Sequence, residues 1–67
     1  MKKACSKVYR VYEDRLYGDG KLYSFLAYTV KSLPIAKGLA KENYLKTGRS
    51  TWVEDANGKL YVGYFVD

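Results

Sequence analysis

Apolar and polar residues along the chain are grouped in five segments, two pairs of strand-like runs with one helix-like run between them. The first pair covers residues 5–13 and 21–30, which are rich in valine, leucine, tyrosine and phenylalanine, the types that favour strands. A Gly-Asp-Gly cluster at residues 18–20 separates the two runs, and such a cluster breaks regular structure. The pattern therefore predicts an N-terminal β-hairpin.

Residues 21–30 give the clearest strand pattern and carry apolar side chains on both faces. Successive side chains of a strand point to opposite faces. Strict alternation divides the run into two sets: Leu22, Ser24, Leu26, Tyr28 and Val30 on one face, and Tyr23, Phe25 and Ala27 on the other. Two apolar faces predict a central strand, or a sheet whose second face contacts another chain.

Residues 32–48 carry the start and stop signals of one helix of about 14 residues. Ser32 suits the N-cap, Pro34 lies in the first turn where no amide hydrogen is needed, and Gly48 suits a left-handed helix end. On the helical wheel one arc contains Ile35, Ala36, Leu39, Ala40, Asn43 and Tyr44. Lys37 and Lys41 lie on the opposite side of the helix. We therefore expect the apolar arc to pack on a sheet and the two lysines to face solvent.

Residues 50–55 and 59–66 form a second pair of β-rich runs around Asn57-Gly58, which is a strong hairpin signal. The full order is strand, strand, helix, strand, strand. It predicts a single α+β domain over residues 1–67, with two hairpins flanking one helix (ββαββ). The simplest packing is a four-stranded antiparallel sheet with the helix on one face.

The register of the second hairpin has two solutions. Either a two-residue turn joins the strands, or a four-residue turn begins at Asp55 and places Gly58 in a bulge. The solutions differ in whether Trp52 or Val53 pairs with Val62, and the sequence leaves both open.

The tetrapeptide Gly-Lys-Leu-Tyr occurs twice, at residues 20–23 and 58–61, each time directly after an Asp or Asn. Gly-Lys also ends a phosphate-binding loop, which needs Ser or Thr after the lysine and a helix behind it. Both copies instead continue into strand-like residues. We therefore interpret each copy as a turn that enters a strand.

The small size of the chain limits its core. Sixty-seven residues are near the lower limit for independent folding, and the lone Cys5 cannot form an internal disulfide. An efficient core, a homodimer or a partner protein is therefore the expected source of stability, and a homodimer is predicted as possible. No apolar run is long enough to span a membrane, and no apolar segment follows the first lysines, so we expect neither a membrane span nor a secretory signal. A single cysteine fits the cytoplasm, which is the expected location.

Catalytic and metal-binding patterns are absent from the sequence. The chain has no histidine, the usual base beside a nucleophilic Ser or Cys, and no Cys/His cluster for zinc. No carboxylate pair is singled out by its spacing. We expect no enzymatic activity, no cofactor and no metal ion.

The charge and the aromatic content suggest two binding functions. The chain has a net charge of +5 and eight tyrosines, and a basic aromatic sheet face can bind single-stranded nucleic acid. The residues proposed for this function are Lys7, Tyr9, Arg10, Tyr12, Lys21, Tyr23 and Tyr28, with Lys37 and Lys41 on the helix. No RNP-type motif, KH loop or zinc finger is present, so we treat this function as the alternative.

The favoured interpretation is a small non-catalytic protein-interaction module, such as an inhibitor or adaptor. Aromatic residues anchor many interfaces, and Trp52, Tyr64 and Phe65 on the last hairpin are the candidates here. An edge strand can also pair with a partner strand. Short, basic, tyrosine-rich domains of this kind resemble accessory proteins of bacteriophages or mobile elements, a likeness of composition that covers no motif.

Overall fold

The computed structural model of the chain describes residues 7–66 as an antiparallel four-stranded sheet with one helix against one face. The elements are β1 (Tyr9–Leu16), β2 (Leu22–Val30), α1 (Leu33–Thr47), β3 (Thr51–Asp55) and β4 (Leu60–Tyr64). The spatial order of the strands is β2-β1-β3-β4. The predicted ββαββ architecture is confirmed.

The two central strands and the helix form the core. Val11 of β1 pairs with Val53 of β3, and both are fully buried together with Ala36 and Ala40 of α1. The two alanines let the helix approach the sheet closely, and each buried valine contributes roughly 1.5–3 kcal/mol. This core is small, so little apolar material is left to cover the opposite face of the sheet.

The helix begins and ends where its signals predict. The Ser32 Oγ accepts a hydrogen bond from the Ile35 backbone N–H at 3.5 Å, and Pro34 lies in the first turn. Gly48 has a φ of 71° and donates its N–H to the Tyr44 carbonyl at 2.9 Å. One member of the predicted apolar arc differs, because Ile35 is 57% exposed.

The first strand lies further along the chain than predicted. β1 extends to Leu16, whereas the sequence pattern ended it at Glu13, and its predicted start at Cys5 lies outside the described residues. The extension lengthens the first hairpin, because Arg15 pairs with Tyr23 and Leu16 pairs with Leu22. These pairs lie beyond the part of the sheet that α1 covers.

A β-bulge corrects the predicted faces of β2. Val11 pairs with Tyr28 and the next residue, Tyr12, pairs with Leu26, so Ala27 is an extra residue in β2. One extra residue reverses the alternation beyond it. Tyr28 therefore lies on the helix side of the sheet, opposite to the side that carries Leu26.

The two Gly-Lys-Leu-Tyr copies form the same turn. In each, the carbonyl of the first turn residue accepts the glycine N–H, at 2.9 Å for Gly20 and 3.0 Å for Gly58. Both glycines have positive φ, 81° and 85°, which is the geometry of a three-residue hairpin loop closed by a bulge. In the second hairpin this loop is residues 56–58, and together with Asp55 it forms the four-residue turn that was one of the two predicted solutions. Val53 accordingly pairs with Val62.

The helix divides the sheet into two unequal faces. We call the side that carries α1 the helix face and the opposite side the open face. Side chains of paired residues share a face, and Val11 and Val53 are buried against α1. The register therefore tells which of the two faces each remaining residue of the sheet lies on. Among residues 7–66, no helix has the length and apolar character needed to cross a membrane.

Candidate partner-binding surface

The open face carries large apolar side chains from all four strands. Tyr12 of β1, Leu26 of β2 and Trp52 of β3 lie side by side, because Tyr12 pairs with both of the others. Leu60 of β4 joins them through its pairing with Glu54. Since α1 covers only the helix face, these side chains have no second layer above them in the described part of the chain.

Three aromatic rings form a stacked row across the open face. The Tyr12 and Trp52 ring centroids are 5.9 Å apart with planes at 22°, and those of Trp52 and Phe65 are 6.2 Å apart at 21°. We call Tyr12, Trp52 and Phe65 the aromatic row. Offset-stacked rings of this kind fix each other's orientation and present one rigid apolar surface.

Gly63 makes room for the last ring of the row. It pairs with Trp52 on the open face, where a side chain would normally stand beside the indole. A Cβ on Gly63 would overlap the Phe65 ring, which occupies that space instead. An aromatic ring above a strand glycine restores the packing that the missing side chain loses.

The aromatic row and its neighbours remain accessible. Leu26 is 51% exposed, Leu60 53% and Phe65 56%. A shallow depression of about 310 Å³ lies at the β3–β4 end of the row. It is lined by Asp14, Trp52, Glu54, Leu60 and Phe65. Exposed apolar side chains grouped on one face, with polar groups at the rim, are typical of interaction sites.

The charged groups of the open face are mixed, with carboxylates next to the rings. The Trp52 Nε1 donates to Glu54 Oε2 at 2.8 Å, so the indole N–H already has an acceptor. Asp14 lines the same depression, and Arg10 lies across from Glu54 in the register. A phosphate placed on the row would meet two carboxylates.

A cluster of hydrogen-bonded polar side chains lies between the sheet and the helix. Glu13, 3% exposed, accepts hydrogen bonds from Asn43 Nδ2 at 2.9 Å and from Arg15 Nε. Asn43 Nδ2 also donates to the Thr51 Oγ1 at 3.1 Å. Burial alone would raise the pKa of Glu13, but the bonds from Asn43 and Arg15 outweigh it and hold that pKa below its ordinary value. This cluster joins β1, α1 and β3.

The structure brings two of the three predicted partner-binding residues together. Trp52 and Phe65 are neighbours in the aromatic row, whereas Tyr64 points to the helix face and stacks on Tyr44, with centroids 5.8 Å apart. Sequence reasoning did not group Tyr12 with Trp52. Their pairing depends on β1 and β3 being adjacent, which no local signal in either segment indicates.

The residues proposed for nucleic-acid binding are divided between the two faces. Tyr9 is 8% exposed, and its ring meets the Tyr61 ring edge-on at 5.5 Å on the helix face. Tyr23 and Tyr28 also lie on the helix face, and only Arg10 and Tyr12 lie on the open face. The predicted single aromatic platform is therefore not formed.

The basic members of that set are exposed but spread over the molecule. Lys7 precedes β1, Lys21 follows the first turn, and Lys37 and Lys41 lie on the outer side of α1. The hydroxyl of Tyr23 is held by Asp19, at 2.6 Å. These lysines do not converge on one groove with the exposed rings.

Comparison with protein-family models, curated proteins and solved structures finds no match for the chain. The side chains themselves must therefore indicate the function. No group of three or more His, Cys, Asp or Glu residues with metal-binding geometry is present in residues 7–66. The open face combines exposed apolar side chains from several strands, including Leu26 and Leu60.

Proposed function

We propose that the protein is a non-catalytic binding module that docks on a partner protein through its open face. The observation that carries this proposal is the aromatic row, three stacked rings from β1, from β3 and from the residue just after β4, with no second layer of the described chain above them. Aromatic anchors of this type contribute most of the binding energy in many protein interfaces.

The polar groups around the row favour a protein over a nucleic acid. Asp14 and Glu54 flank Trp52 and repel phosphate, whereas they attract lysine or arginine at the rim of a partner. The indole N–H already has Glu54 as its acceptor, so an apolar partner side chain can cover the ring without leaving a buried donor unpaired. The partner we expect has an apolar centre and a basic rim.

The test is capture of a partner with wild-type bait and with two matched variants, after nuclease treatment. Phe65→Ala removes an exposed ring from the row, and Leu45→Ala removes a comparably exposed side chain from the outer side of α1. The captured protein is then purified and its affinity measured by calorimetry. We expect Phe65→Ala to weaken binding by about tenfold or more and Leu45→Ala to leave it unchanged. Equal binding by all three chains would contradict the proposal.

Nucleic-acid binding stays the second candidate, supported by the net charge of +5 and by Lys37 and Lys41 exposed one turn apart on α1. Its test is binding of short single-stranded RNA and DNA at two salt concentrations. Phosphate contacts tighten at low salt, so absence of binding there eliminates this function. Replacement of Lys21 and Tyr23 is expected to weaken binding only if the sheet itself contacts the RNA or DNA.

A cytoplasmic location and an accessory role in a phage or mobile element stay predictions from composition.

A further inference from the structure

The outer edge of β2 is a second surface, separate from the aromatic row. β2 and β4 are the edge strands, and within residues 7–66 β2 pairs only with β1. β4 has five residues and contains Gly63, whereas the nine residues of β2 include no charge, glycine or proline. Most natural edge strands are short, charged or interrupted, which prevents pairing with another chain. Apart from its bulge at Ala27, β2 has none of these protections.

The first turn determines which backbone groups of β2 point to the outer edge. The Tyr17 N–H donates to the Lys21 carbonyl at 3.1 Å, so Lys21 faces β1. Residues of an antiparallel ladder alternate between facing one neighbour and the other. The N–H and C=O groups of Leu22, Ser24 and Leu26 therefore face outward, and their register is unbroken up to the bulge.

The sequence of this segment is a chemical palindrome. Residues 22–26 read leucine, aromatic, serine, aromatic, leucine. A two-fold axis through Ser24 sets the small serines against each other and Leu22 against the partner's Leu26 on the open face. The same axis sets Tyr23 against the partner's Phe25 on the helix face. Aromatic pairs directly opposite each other stabilise antiparallel strands.

We propose that β2 pairs with β2 of a second copy of the chain, antiparallel and centred on Ser24, to form one eight-stranded sheet. The pairing satisfies the outward backbone groups and covers part of Leu22 and Leu26, which are 63% and 51% exposed. A two-fold interface needs a surface that is complementary to itself, and the palindrome meets this condition. The aromatic row lies on β1, on β3 and just after β4, away from the outer edge of β2. It therefore stays open in the dimer, and this inference does not depend on the proposed function.

The expected dimer is weak and concentration-dependent. The ladder is limited to five residues by the turn on one side and by the bulge at Ala27 on the other. Five residues extend about 16 Å, which places the interface among small, transient ones. We expect the 7.7 kDa chain to reach twice that mass in sedimentation as its concentration rises from about 10 μM to about 1 mM.

Substitutions at the axis test the pairing. Ser24→Lys and Ser24→Glu each place two like charges opposite each other, and we expect each to weaken dimerisation more than about tenfold. Asp14 is the cross-strand neighbour of Ser24 on the same face, so the lysine variant keeps an opposite charge within its own chain. An equimolar mixture of the two variants places lysine against glutamate and is expected to restore the dimer. The control, Thr29→Lys, adds a charge to β2 beyond the bulge and should dimerise as the wild type does.

Amide protection gives an independent readout by NMR. In the dimer the N–H groups of Leu22, Ser24 and Leu26 become protected from exchange as concentration rises. The proposal is overturned if the wild-type chain remains a monomer at about 1 mM, or if Ser24→Lys and Ser24→Glu dimerise as tightly as the wild type. A dimer that the mixture fails to restore also overturns the centring on Ser24.

Discussion

At the scale of single residues, one aspartate in each turn ties the backbone to the following tyrosine. Asp19 and Asp55 each accept the backbone N–H of the lysine and the hydroxyl of the tyrosine in the adjoining Gly-Lys-Leu-Tyr. The distances are 3.0 and 2.6 Å in the first turn and 2.9 and 3.1 Å in the second. The aspartates stand at different positions, so the repeat preserves a hydrogen-bond pattern rather than a sequence register.

The second turn is expected to loosen in acid through Asp55. The bond from the Lys59 backbone N–H is the main cause that holds the pKa of Asp55 below its ordinary value. The ionised Asp55 therefore stabilises the turn fully at pH values above the ordinary aspartate pKa of about 4. This contribution is lost as the pH falls through the lowered pKa. An NMR titration of the Lys59 amide should show this step in the wild type and lose it in Asp55→Asn. Asp19→Asn is the control, and an unchanged titration in Asp55→Asn would contradict the assignment.

The same turn is expected to weaken again in alkali through Tyr61. Burial, together with the Asp55 carboxylate, raises the pKa of Tyr61 above its ordinary value. The protonated Tyr61 therefore stabilises the turn fully at pH values below the ordinary tyrosine pKa of about 10. This contribution is lost as the pH rises through the raised pKa. Ultraviolet titration of Tyr61→Phe against the wild type should show the loss of one late-titrating phenol. A wild type whose phenols all titrate near 10 would contradict this.

Gly63→Ala is expected to displace Phe65 from the aromatic row. The new Cβ would overlap the Phe65 ring, and the backbone there needs no left-handed conformation, so the ring is what must move. Loss of one stacked pair corresponds to about 0.5–1.5 kcal/mol, partly offset by the lower chain entropy of alanine in the unfolded state. Trp52 is the single tryptophan, so its fluorescence reports the change as a red shift. Gly18→Ala, where a Cβ meets nothing, is the control and should leave the emission unchanged.

At the scale of elements, Asn43 joins the helix to both central strands. It donates to Glu13 and to Thr51, and every buried polar side-chain atom in the described residues has a partner. Asn43→Ala leaves the buried Glu13 carboxylate with fewer donors, so we expect a loss of about 1.5–3 kcal/mol of unfolding free energy in urea. Glu42→Ala, an exposed neighbour on α1, should change it by less than about 0.5 kcal/mol. A similar effect of both substitutions would argue against the polar link.

A substitution on the outer side of α1 is expected to stabilise the domain. Gly38 lies inside the helix, and a Cβ added there meets nothing within 4 Å. Gly38→Ala is therefore expected to stabilise the domain by about 0.5–1 kcal/mol, because glycine loses more backbone entropy in a helix. The change should appear as a higher midpoint in urea unfolding. A lower midpoint would indicate that this side of α1 has a packing role.

At the scale of the whole molecule, the first hairpin extends beyond the helix-covered core. The molecule measures 50 × 23 × 16 Å, and Leu16 and Leu22 at the far end are 68% and 63% exposed. In native-state hydrogen exchange of the dilute chain we expect the amides near this end to open before those of Val11 and Val53. Uniform protection from the hairpin tip to the core would contradict this gradient.

The sequence by itself determined the order of the elements in this protein and the positions of its turns. Ser32, Pro34 and Gly48 mark the helix because caps act through the nearest backbone groups. The positive-φ glycines of the two Gly-Lys-Leu-Tyr copies mark the chain reversals for the same reason. These effects operate over four residues or fewer, so they are legible in the order of residues.

Only the tertiary structure decided which side chains share a surface. The placement of β3 beside β1 brings Tyr12 against Trp52, and the bulge at Ala27 moves Tyr28 to the helix face. Strand order and bulges depend on how the helix and the sheet pack together, and that packing joins residues far apart in the sequence, such as Val11 and Val53. The open face therefore exists as a surface only once the sheet is assembled, because its rings come from strands that carry no local signal of being neighbours.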